Sequence, residues 1–178
     1  YFDTVTTIMG YTDSQEHFDQ VCDGAITLMT HYHKLFDGYH GYGDMHNLWY
    51  LNRHAASAPV KVDDAMFSLL SRCKEMQAVH EKVNIAMGSV LILWHNARDT
   101  GTLPDADMLS AAAQHTDFSC VVLDPENKTV FFTDPALQLD LGAVAKGFTA
   151  EMLADYFYQE MPSFLISLGG NIYAGDPP

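Results

Sequence analysis

Positive charge is what this 178-residue chain lacks most: nine Lys and Arg stand against 23 Asp and Glu, a formal net charge of -14. So acidic a surface repels phosphate backbones and anionic lipid headgroups, which excludes general nucleic-acid binding. Cysteine is scarce too. Cys22, Cys73 and Cys120 are far apart and form no CxxC, which argues against a zinc ribbon or a thioredoxin-type motif. Cys22 and Cys73 fall on apolar helical stripes and read as small buried hydrophobes. No apolar run is long enough to span a bilayer. There is no HExxH among the nine histidines, no GxSxG elbow, no internal repeat and no low-complexity stretch. The histidines read as surface residues.

Two nucleotide motifs are excluded by order. Lys146 precedes Gly147 and Phe148 follows, so the Gly-Lys-Ser/Thr end of a P-loop is missing. Gly38, Gly41 and Gly43 are spaced in the reverse of the dinucleotide fingerprint and follow a helix instead of a strand.

What is present is an ordinary globular composition, 48% hydrophobic and 12% aromatic, enough for one domain over residues 1–178. Residues 2–9 predict a strand. Phe18, Val21, Cys22, Ala25, Leu28, Met29, Tyr32, Leu35 and Phe36 recur at three- and four-residue steps and predict a long amphipathic helix. A Gly-rich loop over 37–47 follows. A second helix is expected after a cap at Asp63 or Asp64, with Met66, Leu69, Leu70, Cys73 and Met76 inward. The apolar run 83–94 fits a buried strand or a buried helix equally. A short helix is expected after Pro104. Two β-rich runs, 118–124 and 128–133, flank Asp124-Pro125-Glu126-Asn127 and predict a hairpin. Further strands are expected at 137–141 and 164–167, with a helix between them. Strands, helices and a hairpin in this mixture predict an α+β fold, a mixed or antiparallel sheet packed with helices.

The segment Leu139-Asp140-Leu141-Gly142-Ala143-Val144-Ala145-Lys146-Gly147 carries the most chemistry. It delivers an Asp, turns at Gly142 and opens a helix near Lys146. Free N–H groups, the positive dipole end and a lysine make such a turn a fair anion cradle. On the residues alone, a plain strand-to-helix turn with a capping Asp explains it as well, and a structural domain without ligand is the simpler reading.

Four stretches taken together resemble the ApbE family of FAD:protein FMN transferases. They are Tyr1-Phe2-Asp3-Thr4-Val5; Lys34 to Tyr39 with Asn47 to Asn52; Asn84 to Val90 with Trp94; and Asp140 to Gly147 with Ser167 to Asn171. The resemblance spans nearly the whole chain, and DLGAVAKG is its most specific part. It implies a related α+β (T-fold-related) domain that uses FAD and Mg²⁺ and transfers FMN to a Thr or Ser of a partner flavoprotein, releasing AMP. It implies that Tyr39 lines the flavin or adenine pocket, that Lys82, Val83 and Asn84 meet FAD largely through backbone, and that Asp140 and Lys146 contact FAD. Ala143 matches a metal-binding position, through its carbonyl oxygen only. Many members have Asp in place of Asn84 and Pro in place of Ser89, a subgroup difference. The family continues past the Gly169-Gly170-Asn171 strand, so the catalytic residues and the remaining metal ligands are expected beyond residue 178, with 1–178 inactive alone. The resemblance also implies a lipoprotein at the extracytoplasmic face of the bacterial membrane, its anchor removed from a trimmed chain. A non-catalytic FAD-binding module and an FAD pyrophosphatase are the alternatives on the same pocket.

Overall fold

The computed structural model describes all residues from Tyr1 to Pro178. In chain order its elements begin with β1 (Thr6–Gly10), α1 (Gln15–Leu35), α2 (Leu48–His54), β2 (Val60–Lys61) and α3 (Asp64–Val79). There follow α4 (Gly88–Thr100), α5 (Ala106–Ala112), β3 (Val121–Asp124), β4 (Thr129–Phe132), α6 (Ala145–Glu160), β5 (Phe164–Leu168) and β6 (Asn171–Ala174). The strands make two three-stranded antiparallel sheets, so the fold is α+β as expected. No helix is long and apolar enough to cross a membrane.

The chain divides into two compact units. The first comprises Tyr1–Lys34 and Gly142–Pro178. Its sheet runs β1-β5-β6, with Ile8 opposite Ile166. Val21, Ala25 and Met29 of α1 meet Leu153, Ala154 and Phe157 of α6 and Ile166 and Leu168 of β5 in one apolar cluster. Burying each large side chain there contributes about 1.5–3 kcal/mol. The strand expected from residue 2 starts only at Thr6. Phe2 and Asp3 take positive φ of 50° and 54°, and the Thr4 amide closes the turn onto the Tyr1 carbonyl at 3.0 Å. Packing overrides strand propensity here: Phe2 lies against the core, and its amide donates to His33 Nδ1 at 3.3 Å. At the other end β6 lies beyond the strands that the sequence pattern predicts. Gly169 and Gly170, at φ 55° and 93°, supply a left-handed turn that returns the chain as a strand beside β5.

The second unit is Leu35–Leu141. Its sheet runs β2-β4-β3, and β3 and β4 form the predicted hairpin. Asp124 Oδ1 accepts the amides of Glu126 and Asn127 and shapes that turn. Asp63 caps α3 through the Ala65 amide, and Met66, Leu69, Leu70 and Cys73 are its buried stripe. Burial pushes the Cys73 thiol up to about 11, as suits an inert core residue.

Two expectations need correction in this unit. Of the two readings of 83–94 the structure takes the helix, α4 after a turn, but the run is not buried throughout: Leu91 and Trp94 are 39% and 47% exposed. Ile85 and Ala86 are buried in the turn, while the helix that follows is half-buried with Leu91 and Trp94 on its open side. Residues 137–141 alternate in burial as a strand would, with Leu137, Leu139 and Leu141 inward, yet they join no sheet. Their polar groups are satisfied elsewhere. The Asp140 amide donates to Ile85 O at 2.8 Å, Gln138 O accepts from the Gly88 amide at 2.9 Å, and Leu139 is bonded on both sides by Asn52.

Candidate functional site

In the second unit the Gly-rich loop after α1 is organised by one carboxylate. Asp37 Oδ1 accepts the backbone amides of Tyr39 at 2.7 Å and His40 at 3.2 Å. Its Oδ2 accepts from the Tyr42 hydroxyl at 2.7 Å and bonds His40 Nδ1 at 3.0 Å. Partial burial by itself would raise the Asp37 carboxyl, but the bonds from Tyr42, the Tyr39 amide and His40 outweigh it and hold it below the ordinary carboxylate value. The buried Asn47 side chain closes the loop from the other side, donating to the Asp37 and His40 carbonyls at 3.1 and 2.8 Å while capping α2.

This loop presents Tyr39, which is 39% exposed. Its hydroxyl reaches Asp140 Oδ2 at 3.4 Å, a long and weak hydrogen bond. Desolvation and the neighbouring Asp140 raise the Tyr39 phenol, with Arg98 opposing them. The His95 imidazole of α4 stacks on the Tyr39 ring, centroids 4.2 Å apart and planes 21° from parallel.

Asp140 is held by its own backbone. Its amide donates to Ile85 O, which ties it to the turn immediately after 82–84. Asn84 spends its side chain internally, donating to Thr116 O at 2.8 Å and accepting from the Ala86 amide at 2.8 Å. That leaves backbone groups and the exposed Lys82 as what this turn can offer a ligand. Gly88 is required where the turn passes 137–141, because a Cβ there would meet Gln138 O at 2.7 Å and Leu139 O at 2.8 Å. Tyr39 thus meets Asp140 within this unit, and Asp140 is bonded to Ile85, the residue after the 82–84 turn. Asp37 falls in the Lys34 to Tyr39 stretch and Tyr42 in the Gly-rich loop, but neither has a role readable from the sequence, and His95 lies in no segment singled out there; their relationship is three-dimensional.

In the first unit the rest of the DLGAVAKG segment opens α6. Val144 offers no side-chain cap. The first helical amides therefore point outward from a positive helix end. Lys146 lies at this end, its Nζ donating to Gly142 O at 3.4 Å. Asn171 of the Gly-Gly-Asn turn stands close by, its Oδ1 3.8 Å from where a Gly147 Cβ would be. Two of the segments singled out in the sequence meet here. The arrangement has the donors an anion needs.

Ala143 is exposed in the turn before α6 and can give a metal only its carbonyl oxygen. No group of three His, Cys, Asp or Glu side chains is placed to hold an ion. Mg²⁺ demands near-octahedral oxygen ligation. The residues present do not amount to a resident magnesium site.

The ApbE family model matches residues 2–178. This chain belongs to the ApbE family. A protein of Treponema pallidum (strain Nichols) named FAD:protein FMN transferase is 37% identical over 131 residues, covering 70% of this chain and 36% of its own length. One of the same name from Klebsiella pneumoniae (strain 342) is 34% identical over 125 residues, 69% of this chain and 40% of that protein. The chain thus spans about two fifths of these curated relatives. Among solved structures, a variant of the flavin transferase ApbE from Vibrio cholerae superposes with a TM-score of 0.84 at 17% identity, over 98% of this chain and 60% of that one. The ApbE protein of Thermotoga maritima gives 0.80 at 18% identity, over 93% and 53%. At these identities the likeness establishes the shared fold.

Proposed function

We propose that this chain serves FAD:protein FMN transfer. A Thr or Ser hydroxyl of a partner flavoprotein attacks the FMN phosphorus of FAD and gives up its proton to solvent, the pyrophosphate bond breaks, and AMP leaves with the bonding electrons. Tyr39, Asp140 and the backbone of 82–84 contact the flavin nucleotide, and Lys146 offers a cation to an anionic group. The observation that carries the reading is the contact of Tyr39 with Asp140, whose backbone is bonded to Ile85 just after the 82–84 turn, in a chain of this family. Phosphoryl transfer asks a protein mainly for positioning and charge neutralisation.

Mg²⁺ is part of this proposal: the Ala143 carbonyl would be one of its protein ligands, and the ion would supply positive charge that a chain of net charge -14 has little of. The extracytoplasmic face of a bacterial membrane, with a lipid tether, belongs to the same proposal.

Titration of the 178-residue chain with FAD, read by flavin fluorescence with and without Mg²⁺, tests the reading. Binding is the suitable readout because it asks for contacts with FAD and not for the transfer step. Saturable binding that tightens with Mg²⁺ and weakens about ten-fold or more in Tyr39→Ala is expected, on the scale of a lost base-stacking contact. FAD that binds no better than it binds to albumin would overturn it.

A further inference from the structure

The Tyr39 ring is held on one face by something the family reading does not account for. We propose that His95 is a positioning residue for Tyr39: its imidazole is the fixed plate of a two-ring stack that offers the other face of Tyr39 to a flat heteroaromatic ring. The inference rests on the proposed flavin-nucleotide reading of Tyr39 and names a residue that reading does not contain.

The geometry carries it. The Tyr39–Asp140 bond is long at 3.4 Å and leaves the ring free to swing about it. Asp37 fixes the Tyr39 backbone through its amide but not the side chain. The stack on His95, 4.2 Å between centroids and 21° from parallel, lies against the face of the Tyr39 ring and constrains its plane.

His95 is itself fixed. Arg98 Nη2 lies 2.7 Å from His95 Nδ1. A guanidinium has only donors, so Nδ1 is the acceptor in this contact. Nε2 faces Asp99 Oδ2 at 3.8 Å. Arg98, Asp99 and His95 all belong to α4, whose first residue is anchored by the Gly88 amide on Gln138 O. A ring carried by a loop is therefore registered against a ring carried by a helix.

The test is a double-mutant cycle on FAD binding, with His95→Ala, Tyr39→Ala, the double variant and His95→Phe. If His95 acts through Tyr39, His95→Ala weakens FAD about three- to ten-fold, the range of one aromatic pair. His95→Phe, which can still stack, restores affinity. In the Tyr39→Ala background, His95→Ala has no further effect. A His95 that merely supported the fold would weaken binding equally in both backgrounds. That result, or wild-type affinity in His95→Ala, overturns the inference and leaves the proposed function standing. Absence of FAD binding by the unaltered chain, or indifference to Tyr39→Ala, overturns the reading of Tyr39 and the inference with it.

Discussion

The Tyr42 hydroxyl and the Asp37 carboxylate lie 2.7 Å apart, and this contact closes the loop that carries Tyr39. Asp37 accepts from Tyr42 with one oxygen and from the amides of Tyr39 and His40 with the other. One side chain thereby replaces the backbone hydrogen bonds that a helix or sheet would have given these residues.

Asp37→Ala removes all of these acceptors together. Hydrogen bonds to a charged group are worth about 1.5–3 kcal/mol each when buried. Since the loop can partly rehydrate, a net loss of about 2 kcal/mol is expected, read as a lower midpoint in urea at unchanged slope. FAD affinity should fall as well, because the Tyr39 backbone is released. An Asp37→Ala variant as stable as the parent would refute the role given to this carboxylate.

The same pair makes a prediction about alkali. The hydrogen bond to Asp37, with desolvation, pushes the Tyr42 phenol up to about 12, against about 10 in an unfolded chain. A pKa raised by folding adds stability that is fully present below the unfolded value and is lost as pH rises through the folded one. This share of stability is therefore complete below about pH 10 and disappears between about pH 10 and about pH 12. Denaturant melts across that window should decline less steeply in Tyr42→Phe than in the parent. Phenolate absorbance should show one tyrosine fewer titrating late in the variant.

Much of the architecture is written in local pattern. The three- and four-residue steps from Phe18 to Phe36 specify α1, and Asp124-Pro125 between two β-rich runs specifies the β3–β4 hairpin. The 137–141 segment shows where pattern stops. Leu137, Leu139 and Leu141 alternate inward as in a strand, but alternation reports burial and does not say which group satisfies the backbone. Here it is the Asn52 side chain and the 85–88 turn. The candidate site divides likewise. Tyr39 and Asp140 belong to recognisable segments, whereas His95 has meaning only through a stack on a ring distant in sequence.

Gly88→Ala should be costly although alanine is the better helix former. A Cβ would stand 2.7 Å from one backbone oxygen and 2.8 Å from the next, neither of which can rotate away. Overpacking of this kind costs about 1–3 kcal/mol. The displaced residues are Gln138 and Leu139, the two that precede Asp140, so FAD affinity should fall with stability. A gain in stability, as helix propensity alone would give, would show that the 137–141 segment is looser than its hydrogen bonds imply.

Asn52 separates support of the site from contact with a ligand. Its Nδ2 donates to Leu139 O at 2.9 Å and its Oδ1 accepts from the Leu139 amide at 2.8 Å, so one amide group completes both backbone valences of the residue before Asp140. Asn52→Ala strands a buried donor and a buried acceptor, and each such group costs about 1–3 kcal/mol. Asn52→Asp keeps the acceptor for the Leu139 amide but turns a second oxygen on the Leu139 carbonyl. The aspartate variant should therefore be destabilised at neutral pH and recover on acidification, when a protonated carboxyl can again donate. Thermal melts of the two variants from pH 7 down to about pH 4, where an ordinary aspartate titrates, would read this directly. Recovery by the aspartate variant alone would establish the paired bond to Leu139 as what holds Asp140 in place. Parallel behaviour of both variants would exclude it.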